Sequence, residues 1–294
     1  MWKRLLPLAV LAVAAALVIV AIERSEVRDG VTPAPAVRIA TDLTHDVDRI
    51  GLTLTRLPPD EEMRVGDRIA KAPKLAPEDL PTQAYLERVG GRLAALAVRK
   101  GIRYRIHYLP DRNLVNAFAL PGGHVYVGKG LFSLIESEAE LASVIAHEIQ
   151  HVDQRHSIER LQYELAARRL GLGNAGALLA QLGTALFQAG YRKDQELDAD
   201  RLAVAMCAQL GYNPAAGAEV FRRMQARSAQ FEVPPRPRSP VRETAQVLAA
   251  SLEEYFRSHP RYDERISQIM RLSAGYPGRD WIENRDEFLR YCRP

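Results

Sequence analysis

Between Ser137 and Val152, apolar residues recur at helical spacing. Leu141, Val144, Ile145, Ile149 and Val152 fall on one stripe when the chain is wound as a helix. Ser137-Glu138-Ala139-Glu140 sits just ahead and reads as a capping box, with a hydroxyl N-cap and a carboxylate three residues on. A second stripe runs through Glu196, Ala199, Ala203, Met206 and Leu210. A helix is expected near Thr82 to Arg99 and a strand near Arg103 to Leu109. Phe118 and Leu120, then Val125, Tyr126 and Val127, predict two short strands about Pro121-Gly122-Gly123. Ile158 to Leu170 reads as a continuation of the first helix. Asn213-Pro214 reads as an N-cap with an N1 proline opening a helix to Ala226. A loop at Pro234 to Pro240 precedes another helix, Val241 to Phe256. Residues 23 to 80 are mixed and proline-punctuated, and read as a linker and an irregular arm. The expected class is mainly α with a small β-sheet.

Two apolar stretches depart from this amphipathic pattern. Gly171 to Gly190 is uncharged and rich in Ala, Leu and Gly, so it reads either as a lid touching a membrane or as a buried helical hairpin. Leu5 to Ile22 is an uncharged run of about 18 residues, the lower edge for a membrane span. Lys3 and Arg4 precede it, which argues for a cytoplasmic N-terminus and an exported body. A cleaved signal peptide is the rival reading, and would leave the body in the periplasm. With 294 residues and 47% hydrophobic content, the chain is expected to form one globular domain, 37–294, behind an anchor or signal segment with linker, 1–36. The net charge of +4 is mild and its basic residues are scattered, so no nucleic-acid footprint is present. Cys207 is expected to pack as a small apolar residue, and could pair with Cys292 only in an oxidising compartment.

The chemistry lies where the first stripe is interrupted. Glu148 falls inside it, and His147 and His151 lie along its edge. Residues i and i+4 share a helix face, so both imidazoles can reach one metal ion. A carboxylate on an apolar stripe is costly unless paired or ligated. Packed histidines with an ion-paired Glu would need three separate partners, whereas one zinc site serves all three groups. Catalytic zinc usually has three protein ligands and one open position. The longer HExxHxxGxxH pattern is not met, because Gln154 and Ser157 stand where Gly and His are required. His156 lies across the helix from His147 and is expected to pack or hydrogen-bond. The third ligand should be a carboxylate on a second helix. Glu196 and Asp200 share its inward face, which suggests Glu196 on zinc and Asp200 holding a ligand His by its other ring nitrogen. On the residues alone, the choice among Glu196, Asp198 and Asp200 stays open. His124 reads as a surface or strand-edge histidine without a metal role.

These segments resemble the membrane-associated zinc metallopeptidases that include the HtpX heat-shock protease, the CAAX prenyl endoprotease and the beta-barrel assembly-enhancing protease. The resemblance covers about residues 80 to 270 and rests on four elements in order: Asn116 to Val127, Glu138 to His156 with its HExxH, Glu196-Leu197-Asp198-Ala199-Asp200, and Ser258-His259-Pro260 with Arg265. It implies a zincin-like domain with one zinc ion held by His147, His151 and Glu196. It also implies that His259 can approach the metal and hold the enzyme inactive. Arg265 is expected to hold the developing oxyanion or a nearby carboxylate. The strand beginning at Asn116 and Ala117 is expected to offer its edge to an extended substrate.

The expectation is a zinc metalloendopeptidase with Glu148 as general base, acting on unfolded or misassembled envelope proteins. A chaperone-like assembly factor with an idle or autoinhibited site is the alternative, and a structural zinc module a weaker one.

Overall fold

The computed structural model describes residues 57–70, 72–159, 191–230, 262–276, 278 and 280–292, which lie in one compact unit from Leu57 to Pro294. The apolar run 5–22, the 36/37 boundary, the stretch 171–190, the loop 234–240, the helix expected over 241–256 and His259 lie outside the described residues. No helix among the described residues is long and apolar enough to cross a membrane.

The main elements among the described residues follow in order: α1 (Pro59–Ile69), α2 (Leu80–Ala94), β1 (Arg105–Leu109), β2 (Ala117–Leu120), β3 (His124–Gly128), α3 (Glu138–Asp153), α4 (Lys193–Gln209), α5 (Ala216–Gln230), α6 (Tyr262–Ser273) and α7 (Arg285–Tyr291). The mainly α class with a small sheet is what the pattern led us to expect. Sheet order is β1-β3-β2, with β1 parallel and β2 antiparallel to β3. The expected hairpin is formed by β2 and β3. Its turn uses Gly122 and Gly123 at φ of +81° and +92°, where a side chain would be strained.

Helix α3 is the centre of the molecule. Ser137 Oγ accepts from Glu140 N at 3.2 Å and caps it. The reciprocal half of the expected capping box is shifted by one residue: the Glu140 carboxylate accepts from Glu136 N. All but one of its residues are buried, so α2, α4, α5 and β2 pack around it and it has no solvent face. Its ends are fixed by charge. Glu138 accepts from the hydroxyls of Tyr85 (2.9 Å) and Tyr212 (2.5 Å), and Asp153 accepts from the amides of Val98 (3.0 Å) and Arg99 (2.7 Å). This last contact turns the chain after α2, which ends at Ala94 and not near Arg99 as expected.

Gln154 leaves helical geometry and Arg155 takes φ of +69°, which ends α3; residues 156–159 are helical again, and the rest of the helix expected over 158–170 lies outside the described residues. Two further expectations are corrected. The stretch read as an irregular arm contains α1. Its buried face is Glu62, Gly66 and Ile69, a stripe with one apolar member, so hydrophobic spacing could not reveal it. Glu62 is fully buried and pairs with Arg99 and, at 3.8 Å, with Arg155. Gly66 lies where an added Cβ would sit 2.0 Å from the Pro121 carbonyl oxygen, so α1 rides directly on the hairpin turn.

His124 is 5% exposed and not on the surface. Its Nδ1 lies 2.9 Å from His107 Nε2, and its Nε2 2.9 Å from Asp67 Oδ1. Burial, then the neighbouring His124 and Arg105, pushes His107 down to about 4. Cys207 and Cys292 are both free and buried.

Gly66→Ala is expected to cost about 1–3 kcal/mol, since its clash is with backbone that cannot yield, and the urea-denaturation midpoint would report it. The fold carries His107 neutral, while an unfolded chain protonates it below its ordinary 6.5. Stability is therefore expected to be full above about 6.5 and to fall toward 4, because the unfolded state binds more protons in that window. Denaturation at a series of pH values should show a flatter slope in His107→Gln.

Candidate metal centre

Two segments remote in sequence bring the candidate ligands together. His147 and His151 stand one turn apart on α3, and Glu196 faces them from the first turns of α4. His147 Nε2 and His151 Nε2 are 3.0 Å apart. Glu196 Oε2 lies 3.5 Å from His147 Nε2, and Oε1 lies 3.3 Å from His151 Nε2. One donor atom from each of the three can be chosen within 4.8 Å of the other two, and all three residues are buried. Two imidazoles and one carboxylate are a donor set that suits zinc, with a fourth position left for solvent or substrate. Glu148 follows His147 on the same helix and is 1% exposed.

Behind the ligands lies a second layer of charge. His147 Nδ1 is 2.9 Å from Asp200 Oδ1. An Nδ1–H donated there leaves Nε2, which faces Glu196, as the nitrogen with the lone pair. Arg265, on α6, is 1% exposed and grips Asp200 in a bidentate fork, Nε to Oδ2 and Nη2 to Oδ1, both 2.7 Å. Its Nη1 lies 2.7 Å from Glu196 Oε2, and the guanidinium rests 4.2 Å above the Phe221 ring centroid. Burial alone would raise the Asp200 carboxyl, but Arg265 and His147 hold it below its ordinary value. Burial and Arg265 push His147 down, yet the Asp200 and Glu196 carboxylates outweigh them and leave it raised to about 9. Asp198 points away and pairs with Arg201 at 2.6 Å, and Asp194 pairs with Arg192 at 3.0 Å. The acidic helix start is thus divided between an inward pair and an outward pair.

The far side of His151 is also occupied. His156 Nδ1 lies 3.1 Å from His151 Nδ1, the hydrogen-bonding role anticipated for it. Burial pushes His156 down to about 4. Tyr191 stacks on the His151 ring at 3.6 Å between centroids and 7° between planes. Neither Tyr191 nor Phe221 was singled out from sequence, since no periodic pattern or motif marks them. Asn116 and Ala117 are fully buried at the start of β2, and both polar atoms of the Asn116 side chain lack a hydrogen-bond partner. His259 lies outside the described residues.

The chain is 32% identical over 248 residues to the putative beta-barrel assembly-enhancing protease of Vibrio cholerae, covering 77% of this chain and 46% of that one. It is 29% identical over 254 residues to the beta-barrel assembly-enhancing protease of Yersinia pestis, covering 78% and 46%. It is 31% identical over 167 residues to the mitochondrial metalloendopeptidase OMA1 of Schizosaccharomyces pombe, covering 54% and 48%. The chain spans about half the length of these curated relatives. The family model described as peptidase family M48 matches residues 81–273, from α2 to the end of α6, so the chain belongs to peptidase family M48, a family of metal-dependent peptidases.

Proposed function

We propose that the chain is a zinc-dependent endopeptidase, with zinc held by His147, His151 and Glu196 and with Glu148 as its general base. The observation that carries this reading is the convergence of two imidazoles and a carboxylate in a buried site, one residue from a buried glutamate. A zinc ion there would supply Lewis-acid polarisation of the scissile carbonyl and activation of a water. Glu148 accepts the proton of the attacking water and passes it to the leaving amine. Asp200 fixes the tautomer and orientation of His147, and Arg265 balances the charge of Asp200 and Glu196. A peptide lies along β2, beginning at Asn116 and Ala117, as an added strand.

The substrates are unfolded or misassembled proteins of the cell envelope, a reading supported by the two relatives named beta-barrel assembly-enhancing protease. The run at 5–22 anchors an exported body of residues 37–294 to the membrane, or, if cleaved, releases it to the periplasm. By the family resemblance, His259 regulates access to the metal.

Hydrolysis of casein by the full chain, with zinc and with chelator, tests the activity. Glu148→Gln should keep one zinc per chain while its rate falls by about 10²- to 10⁴-fold. Glu196→Ala should lose zinc, and full occupancy by elemental analysis would remove Glu196 from the ligand set. Asp200→Asn should weaken zinc binding by about 10- to 100-fold in competition with a chromophoric chelator.

A further inference from the structure

A cavity of about 20 Å³ lies between α3, α4, α5 and α6 and reaches His147 and Asp200. Among the described residues its walls are mainly aliphatic, with Val144, Val204, Val220 and Ile269 around the Cys207 thiol. The polar groups on these walls are already engaged. Ser143 Oγ donates to the Glu140 carbonyl oxygen at 2.7 Å, and the Asp200 carboxylate is held by Arg265 and His147. Burial pushes the Cys207 thiol up to about 12, which keeps it neutral. Ser143 and Gly217 meet at the edge of the cavity and are half-buried. An added Cβ at Gly217 would stand 3.2 Å from Ser143 Oγ and 3.7 Å from Ile269 Cδ1. Of the three candidate ligands, His147 is the most exposed, at 5% against 0% for His151 and 1% for Glu196. The metal centre thus comes nearest to solvent at the residue that borders this cavity.

We propose that this cavity receives a small aliphatic side chain of the bound peptide, next to the bond to be cleaved, and that Gly217 sets the size it admits. This deepens the peptidase reading and rests on it for the substrate. A cavity of this volume holds about one or two groups of methyl size, so Ala and Val fit while Leu overfills it. Walls without a free donor or acceptor favour carbon over oxygen. A Thr side chain has the shape of Val, but its hydroxyl would leave water without gaining a partner. A methyl group at position 217 would press on Ser143 and Ile269 and narrow the space from its edge. Removing methyl groups from Val204, on another wall, would widen it.

The test uses copies of one peptide that carry Gly, Ala, Val, Thr or Leu at one position, moved in turn along its length. Affinities are measured on the zinc-loaded full chain carrying Glu148→Gln, so that binding is read without turnover. Cleavage of the same peptides by the wild type is located by mass spectrometry. At one position, next to the cleaved bond, affinity should rise from Gly to Ala to Val by about fourfold per buried carbon. It should fall about tenfold from Val to Thr, and fall again at Leu. Adding Gly217→Ala should move the optimum from Val to Ala, and adding Val204→Ala should move it toward Leu, with zinc per chain unchanged in both. Affinities indifferent to the side chain at every position, or an order that neither substitution shifts, would overturn the proposal and leave the peptidase reading intact. A sensitive position away from the cleaved bond would overturn the place given to the cavity in the reaction. The expected order of affinities without hydrolysis by the zinc-loaded wild type would overturn the peptidase reading and leave the cavity as a side-chain pocket.

Discussion

The guanidinium of Arg265 is the interaction on which the site depends. Glu196 and Asp200 are 1% and 2% exposed and lie beside two buried imidazoles. Taking each carboxylate out of water costs several kcal/mol unless a partner of opposite charge replaces the solvent. Arg265 supplies that partner to both at once, through Nε and Nη2 on Asp200 and Nη1 near Glu196. Its own burial is offset by the two carboxylates and by the face of Phe221 on α5. Since Arg265 is on α6, Glu196 and Asp200 on α4 and His147 on α3, none of these helices can bury its polar residues without the others. Two carboxylates against one guanidinium leave one negative charge in excess, which a proton on His147, raised to about 9, balances and which a divalent cation would balance in its place.

Helix α3 must carry the two histidines without moving, and its fixing is visible at both ends. The Glu138 carboxylate gathers the hydroxyls of Tyr85 and Tyr212 and the Asn284 amide. At the other end, Asp153 takes two backbone amides, and the Arg99 side chain bridges the Val152 carbonyl to Glu62. Glu62 also accepts from Gly122 N in the hairpin turn. The end of the histidine-bearing helix and the turn that carries β2 are therefore held by one buried carboxylate on α1. A shift of either would break ion pairs in a dry environment, where an unpaired charge is expensive. This coupling keeps β2 and the candidate metal ligands in fixed relation.

What was legible in the sequence was whatever left a periodic or motif signature. Apolar spacing located α3, the inward face of α4 and the β2–β3 hairpin, and the placement of Glu148, Glu196 and Asp200 on buried faces followed from the same spacing. What was hidden rests on contacts between distant segments. The buried face of α1 is a paired glutamate, a glycine in backbone contact and one isoleucine, which reads as a polar stretch. His124 is buried because Asp67 and His107 satisfy both of its ring nitrogens, and those partners come from α1 and β1. The end of α3 depends on a residue at positive φ that carries no glycine to mark it.

Tyr191 shows why such contacts matter for chemistry. It lies just before α4, stacks on a histidine of α3 and bonds a carbonyl of β2, so it touches all three elements that meet at the centre. Its ring limits the rotation of His151 from one side while His156 holds Nδ1 of the same imidazole. His151 therefore has its Nε2 directed at Glu196 by contacts from both sides, as His147 has through Asp200. Each imidazole is oriented by a different partner, one a carboxylate and the other a neutral histidine. An imidazole donating to a carboxylate is the more basic ligand. The two histidines are thus chemically unequal, and His147 would be the stronger electron donor to a metal held between them.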